Sequence, residues 1–132
     1  MGKFISHDLP TTMRIGLVDD DASVRRAVGR MLRTYGYTCS IYDSGESALA
    51  DPEILQMDCL IVDIHMGGMN GFEFCDRLQA RGFPIPHVFI TAHMESDSAQ
   101  WSGRAGNNIV LSKPFEEQQL IASIESSVDP PE

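Results

Sequence analysis

Five short apolar runs, each closed by a turn or an acidic residue and each followed by a segment of helical character, constrain this chain more than any other feature. Met13-Arg14-Ile15-Gly16-Leu17-Val18 stops abruptly at Asp19-Asp20-Asp21, as a buried strand does on meeting a loop. Val24, Ala27, Val28, Met31, Leu32 and Tyr35 then recur at i, i+3, i+4, i+7, i+8 and i+11, with arginines opposite and Gly36 as a stop. That spacing predicts an amphipathic helix whose stripe packs on a sheet. The alternation repeats with a strand over Thr38–Tyr42, a short helix near Gly45–Ala50 capped by Ser44, and a central strand Cys59–Val62 closed by Asp63. A glycine-rich loop, His65–Gly71, leads into a helix through Phe72, Phe74, Cys75 and Leu78 that ends at Gly82 and the Pro84/Pro86 pair. His87–Ile90 is a fourth strand and Ile109–Ser112 a fifth. Helices are expected between about Glu95 and Ala105 and from Glu116 to Val128.

Alternating strand and helix units with near-continuous apolar strands predict an α/β, doubly wound parallel sheet with helices on both faces. With 132 residues there is room for one such domain, placed over 13–128, with tails at 1–12 and 129–132. Lysine and arginine number 10 against 19 aspartates and glutamates, a formal charge of -9 that repels phosphate backbones and anionic lipid surfaces. Direct nucleic-acid binding and membrane attachment are therefore disfavoured, and no apolar run is long enough to cross a bilayer. Cys39, Cys59 and Cys75 form no CxxC pair and read as small core hydrophobes in a reducing, cytoplasmic setting.

Ligands of such sheets sit outside the carboxyl ends of the strands. The residues just after the predicted strands are Asp19 and Asp20, Asp63, Thr91 and Lys113. Three carboxylates in one crevice repel each other and want a cation. A donor set of oxygens without His or Cys selects a hard one, and Mg2+ fits because it takes one or two carboxylates, keeps waters and shares phosphate oxygens. Lys113 and Thr91 add an ammonium and a hydroxyl suited to phosphoryl oxygens. No glycine-rich nucleotide loop occurs, so the phosphoryl group is expected from a partner, with an aspartate as its acceptor.

Val18-Asp19-Asp20-Asp21, Leu60-Ile61-Val62-Asp63, Met66-Gly67-Gly68-Met69-Asn70-Gly71, Thr91-Ala92 and Lys113-Pro114-Phe115 together resemble the receiver domain of two-component response regulators, from about Met13 to Val128. The resemblance implies a flavodoxin-like five-stranded sheet of order 2-1-3-4-5. It implies Asp63 as phosphoacceptor, Asp20 and Asp63 as direct Mg2+ ligands, Asp19 as a ligand through water, and the backbone carbonyl of His65 as a further ligand. Thr91 resembles the switch hydroxyl, Ala92 the small residue that leaves space for the phosphoryl group, and Lys113 the phosphate-contacting lysine, whose bond to Pro114 is cis in the family. The implied partners are a histidine kinase or histidine phosphotransfer protein and a downstream effector, met on the face of the fourth helix, fifth strand and last helix. Homodimer formation on phosphorylation is a further outcome the family allows. Such a module catalyses only its own phosphorylation and dephosphorylation.

The chain departs from the family pattern at two places. Gly67 stands where proline is common, which gives the loop after Asp63 more freedom. Val110 stands where many receivers carry an aromatic switch residue, and Trp101 is read as a packing residue. The bland reading of Asp21 is a helix cap, and His65 and His93 lie two residues beyond Asp63 and Thr91. An aspartate-nucleophile phosphatase is disfavoured because that superfamily has a second aspartate where His65 stands; a phosphorylation-independent adaptor is disfavoured by the intact acidic set. The opening Met1-Gly2-Lys3-Phe4-Ile5-Ser6 fits the loose myristoylation pattern, against which stands the bacterial type of the rest. No output domain fits after Phe115. The chain is expected to be either a stand-alone receiver or one cut from a longer regulator.

Overall fold

A computed structural model describes residues 13–82, 84–94 and 109–128. Strands β1 (Arg14–Val18), β2 (Thr38–Tyr42), β3 (Cys59–Asp63), β4 (His87–Thr91) and β5 (Ile109–Ser112) form one sheet, all parallel, in the order β2-β1-β3-β4-β5. The helices are α1 (Ala22–Thr34), α2 (Gly45–Ala50), α3 (Gly71–Gln79) and α4 (Glu117–Val128), the last being the helix the sequence places at the end of the chain. The helix expected between 95 and 105, with Trp101, lies outside the described residues. No helix among them is long and apolar enough to cross a membrane.

The pleat sends alternate strand residues to opposite faces, and among the described residues α1 and α4 pack on one face and α2 and α3 on the other. Ile15, Leu17, Cys59, Ile61, Val88 and Ile90 are buried with Val28 and Leu32 of α1 and Leu120, Ile121 and Ile124 of α4. Val18, Leu60, Val62 and Phe89 are buried with Ala48 of α2 and Phe72, Phe74, Cys75 and Leu78 of α3. Burial on both sides explains why β3 and β4 read as unbroken apolar runs rather than as alternating ones.

The helix starts follow local chemistry. Asp21 caps α1 by accepting from Ser23 N at 2.8 Å, and Ser44 caps α2 by accepting from Ser47 N at 3.0 Å. Asn70 and Glu73 exchange side-chain and backbone hydrogen bonds at 2.9 Å, a reciprocal box that sets where α3 begins.

Two expectations are revised, and one element is unanticipated. Asp63 and Thr91 are the last residues of their strands rather than the first beyond them. The buried stripe of α1 is narrower than its spacing implied: Val28 and Leu32 are buried, Val24 and Met31 half-buried, and Ala27 exposed, while Tyr35 is the C-cap and 45% exposed. A 3-10 turn, Pro52–Gln56, precedes β3, started by Asp51 accepting from Glu53 N. Its single turn is too short to show a period, and Asp51-Pro52 was its one local signal.

Candidate functional site

Asp19 follows β1 directly and is fully buried. Its amide donates to the Tyr42 carbonyl at 3.2 Å, its Oδ1 accepts from Asp21 N at 2.9 Å, and its own carbonyl accepts from Arg25 Nη1 at 2.9 Å. The acidic run is thus fixed between two strands and the first turn of α1. Asp20 is exposed, and its Oδ2 accepts from the Gly67 amide at 3.2 Å. Asp63 ends the central strand, buried, with Oδ1 accepting from His65 N at 3.1 Å. Behind it, the first residue of α3 has to be glycine: a Cβ on Gly71 would stand 2.6 Å from the Asp63 carbonyl oxygen.

Lys113 follows β5, its amide donating to the Thr91 carbonyl at 2.8 Å and its peptide bond to Pro114 cis. Its ammonium lies 3.0 Å from Asp19 Oδ2 and 3.1 Å from Asp63 Oδ2. The carboxylates of Asp19, Asp20 and Asp63 offer oxygens that all fall within 4.8 Å of one another. The structure therefore gathers these four side chains at the carboxyl ends of β1, β3 and β5. Thr91 is buried at the end of β4, with its hydroxyl accepting from His93 N at 2.9 Å, and Ala92 is exposed beside it.

One ammonium does not balance this cluster. Burial pushes the Asp63 carboxyl up, the charge of Asp19 adds to it, and Lys113 with the His65 amide only partly offset both, leaving it at about 6. Burial pulls Lys113 down, but its hydrogen bond to Asp19 and the charges of Asp63 and Asp19 outweigh burial and hold the ammonium above its ordinary value. Asp19 Oδ2 is buried, and the Lys113 ammonium is its polar neighbour at 3.0 Å. Three carboxylates with oxygens within 4.8 Å of one another and one ammonium between two of them form a crowded all-oxygen set that fits a small, hard divalent cation.

Several contacts that support the site have no mark in the sequence. Alternate amides of the loop after β3 each donate to a carboxylate from a different element: His65 to Asp63, Gly67 to Asp20, and Met69 to Glu46 of α2 at 3.3 Å. His65 and His93 meet edge to face with ring centroids 5.0 Å apart, joining the loops after β3 and β4 at the rim. The side chain of Arg25 secures the Asp19 backbone, a contact that helical spacing on α1 does not reveal.

A parallel sheet of this order, with acidic residues after β1 and β3 and a lysine after β5, defines a class. The chain belongs to the response regulator receiver domain family, whose pattern matches residues 15–125, and carries the flavodoxin-like receiver fold of two-component response regulators. It is 30% identical over 120 residues to the transcriptional regulatory protein FixJ of Bradyrhizobium diazoefficiens, covering 91% of this chain and 58% of FixJ. It is 32% identical over 114 residues to the DNA-binding transcriptional regulator NtrC of Salmonella typhimurium, covering 86% of this chain and 24% of NtrC. The chain thus spans less than two thirds of either relative. Among solved structures, the chemotaxis protein CheY4 of Vibrio cholerae superposes with a TM-score of 0.77 at 28% identity, over 89% of this chain and 99% of CheY4.

Proposed function

We propose that the chain is the phosphoacceptor module of a two-component relay, taking a phosphoryl group from a histidine kinase or histidine phosphotransfer protein onto Asp63. The observation that carries this reading is the position of Asp63: buried at the end of the central strand, next to Asp19 and in contact with the Lys113 ammonium. In the transfer, a carboxylate oxygen of Asp63 bonds to phosphorus while the bond from phosphorus to the donor imidazole nitrogen breaks, and the imidazole leaves with the electron pair.

Asp19, Asp20 and Asp63, with the His65 carbonyl, are the groups to hold Mg2+, which when bound neutralises the carboxylates and the incoming phosphoryl oxygens. Lys113 supplies a second positive charge in contact with Asp19 and Asp63, suited to partner phosphoryl oxygens on Asp63. Thr91 contributes a hydroxyl from β4, and Ala92 beside it leaves room at the rim. Phosphorylation at Asp63 changes what Lys113 pairs with. Strand β5 carries that change toward α4, part of the surface assigned to the effector. The module is not a turnover enzyme in this reading, since its one substrate is its own aspartate.

Incubation with Mg2+ and a small phosphodonor such as acetyl phosphate should add one phosphoryl group by intact mass, and Asp63→Asn should abolish the addition. Labelling of Asp63→Asn equal to that of the parent would overturn the assignment.

A further inference from the structure

The loop after β3 holds Asp20 by a bond that most side-chain choices at residue 67 would permit and one would forbid. Asp20 is the exposed member of the acidic cluster, and a solvated carboxylate beside two others is repelled outward. Its Oδ2 instead accepts from the Gly67 backbone N–H at 3.2 Å. Gly67 has φ outside the left-handed region, and a Cβ there would meet nothing within 4 Å, so neither strain nor space demands glycine. What position 67 supplies is its amide, a donor that proline lacks.

We propose that the Gly67 amide is a positioning group for Asp20, holding this carboxylate inside the cluster so that a divalent cation meets a preformed set of oxygens. A carboxylate has two oxygens, and the amide occupies Oδ2, leaving Oδ1 to turn toward the cation. The flanking amides strengthen the hold. His65 N and Met69 N grip Asp63 and Glu46, so the Gly67 N–H is presented by a segment anchored on both sides rather than by a free loop. The inference rests on the metal-binding reading above and adds to it the group that orders its exposed ligand.

The test is Mg2+ titration of the phosphate-free protein, followed by isothermal calorimetry and by amide chemical shifts, so that no signalling activity is read. Gly67→Ala keeps the N–H and should bind Mg2+ within about twofold of the parent. Gly67→Pro lacks it and should bind about three- to tenfold more weakly, the range of one hydrogen bond of ordinary net strength, as suits an exposed acceptor. Because the proline ring also restricts Met66, a semisynthetic protein with an ester in place of the Met66–Gly67 amide gives the same deletion without the ring. It should show the same loss. In a separate measurement, Asp20→Ala should speed hydrogen exchange at the Gly67 amide several-fold. Ester-bearing protein that binds Mg2+ as tightly as the parent, or more tightly, would overturn the positioning role, since the amide would then be idle or competing with the metal. Failure of the parent itself to bind Mg2+, with Asp20→Asn and Asp63→Asn indistinguishable from it, would overturn the metal site instead.

Discussion

Acid should weaken this fold through one residue remote from the acidic cluster, His87. It is the first residue of β4, 1% exposed, stacked on Phe89 at 5.7 Å and edge-on to Phe74 at 6.2 Å. Its Nδ1 lies 2.7 Å from the Ile85 carbonyl, which can only accept, so Nδ1 carries the proton of a neutral ring. Burial pulls the imidazole down, the bond to Ile85 offsets a little of that, and the result is about 4 against an ordinary 6.5. A base whose folded value is depressed binds protons better when unfolded. Its contribution is therefore full above 6.5 and is lost as pH falls toward 4. At about 1.4 kcal/mol for each tenfold in proton affinity, the linkage amounts to about 1.4 kcal/mol at pH 5.5 and roughly 2.5 kcal/mol at pH 4.5. The perturbation is His87→Phe, which keeps an aromatic ring between Phe74 and Phe89 but cannot titrate. At pH 7.5 the variant should be less stable by about 1 kcal/mol, having left the Ile85 carbonyl without its donor. Urea unfolding at pH 7.5, 5.5 and 4.5 reads the difference between the two proteins, and every group they share cancels. The difference should shrink and change sign between about pH 6 and pH 5.5, with the variant clearly the more stable at pH 4.5. Stability profiles that stay parallel over this range would refute the reasoning.

Lys113→Ala removes the ammonium that touches both Asp19 and Asp63 and should cost about 2–3 kcal/mol in metal-free buffer at pH 7, because two buried carboxylates lose their counter-charge. Much of that loss should return with saturating Mg2+, a rescue that melting curves in chelator and in magnesium will show. Gly71→Ala puts a methyl group 2.6 Å from the Asp63 carbonyl oxygen and should cost about 1–3 kcal/mol in urea unfolding. The same variant should shift the Asp63 and Ile64 amide resonances, because backbone rather than a flexible side chain has to give way.

The sheet was legible because its strands are buried on both faces. Cys59–Val62 and His87–Ile90 are apolar at every position but His87, so the runs stand out without any alternation to decipher. The site was legible for a topological reason: reading only strand ends brought Asp19, Asp63 and Lys113 together, and in the fold the ammonium lies 3.0 Å from one carboxylate and 3.1 Å from the other. The contacts between loops were not legible. Nothing in the residue types says that Gly67 N reaches Asp20 or that His65 finds His93, since such pairs depend on where two loops point after the sheet has closed. Tyr35 failed for a smaller reason: the amphipathic spacing continued one residue beyond the last turn of α1, and a C-cap residue no longer shares the helix face.

The order in which the site's parts occur along the chain has a consequence for how a molecule becomes competent. Asp19, Asp20 and Asp63 are all synthesised before Lys113, and β5, which delivers the lysine, docks at the sheet edge beside β4. A chain that has folded only through β3 holds three acidic groups and lacks the ammonium that joins two of them. Their mutual repulsion then works against closing the crevice, and the last strand to arrive relieves it. On the proposed function, the lysine that meets both Asp19 and Asp63 arrives only when β5 has docked, so competence to accept a phosphoryl group would belong to the finished sheet and need no separate device to silence an incomplete one.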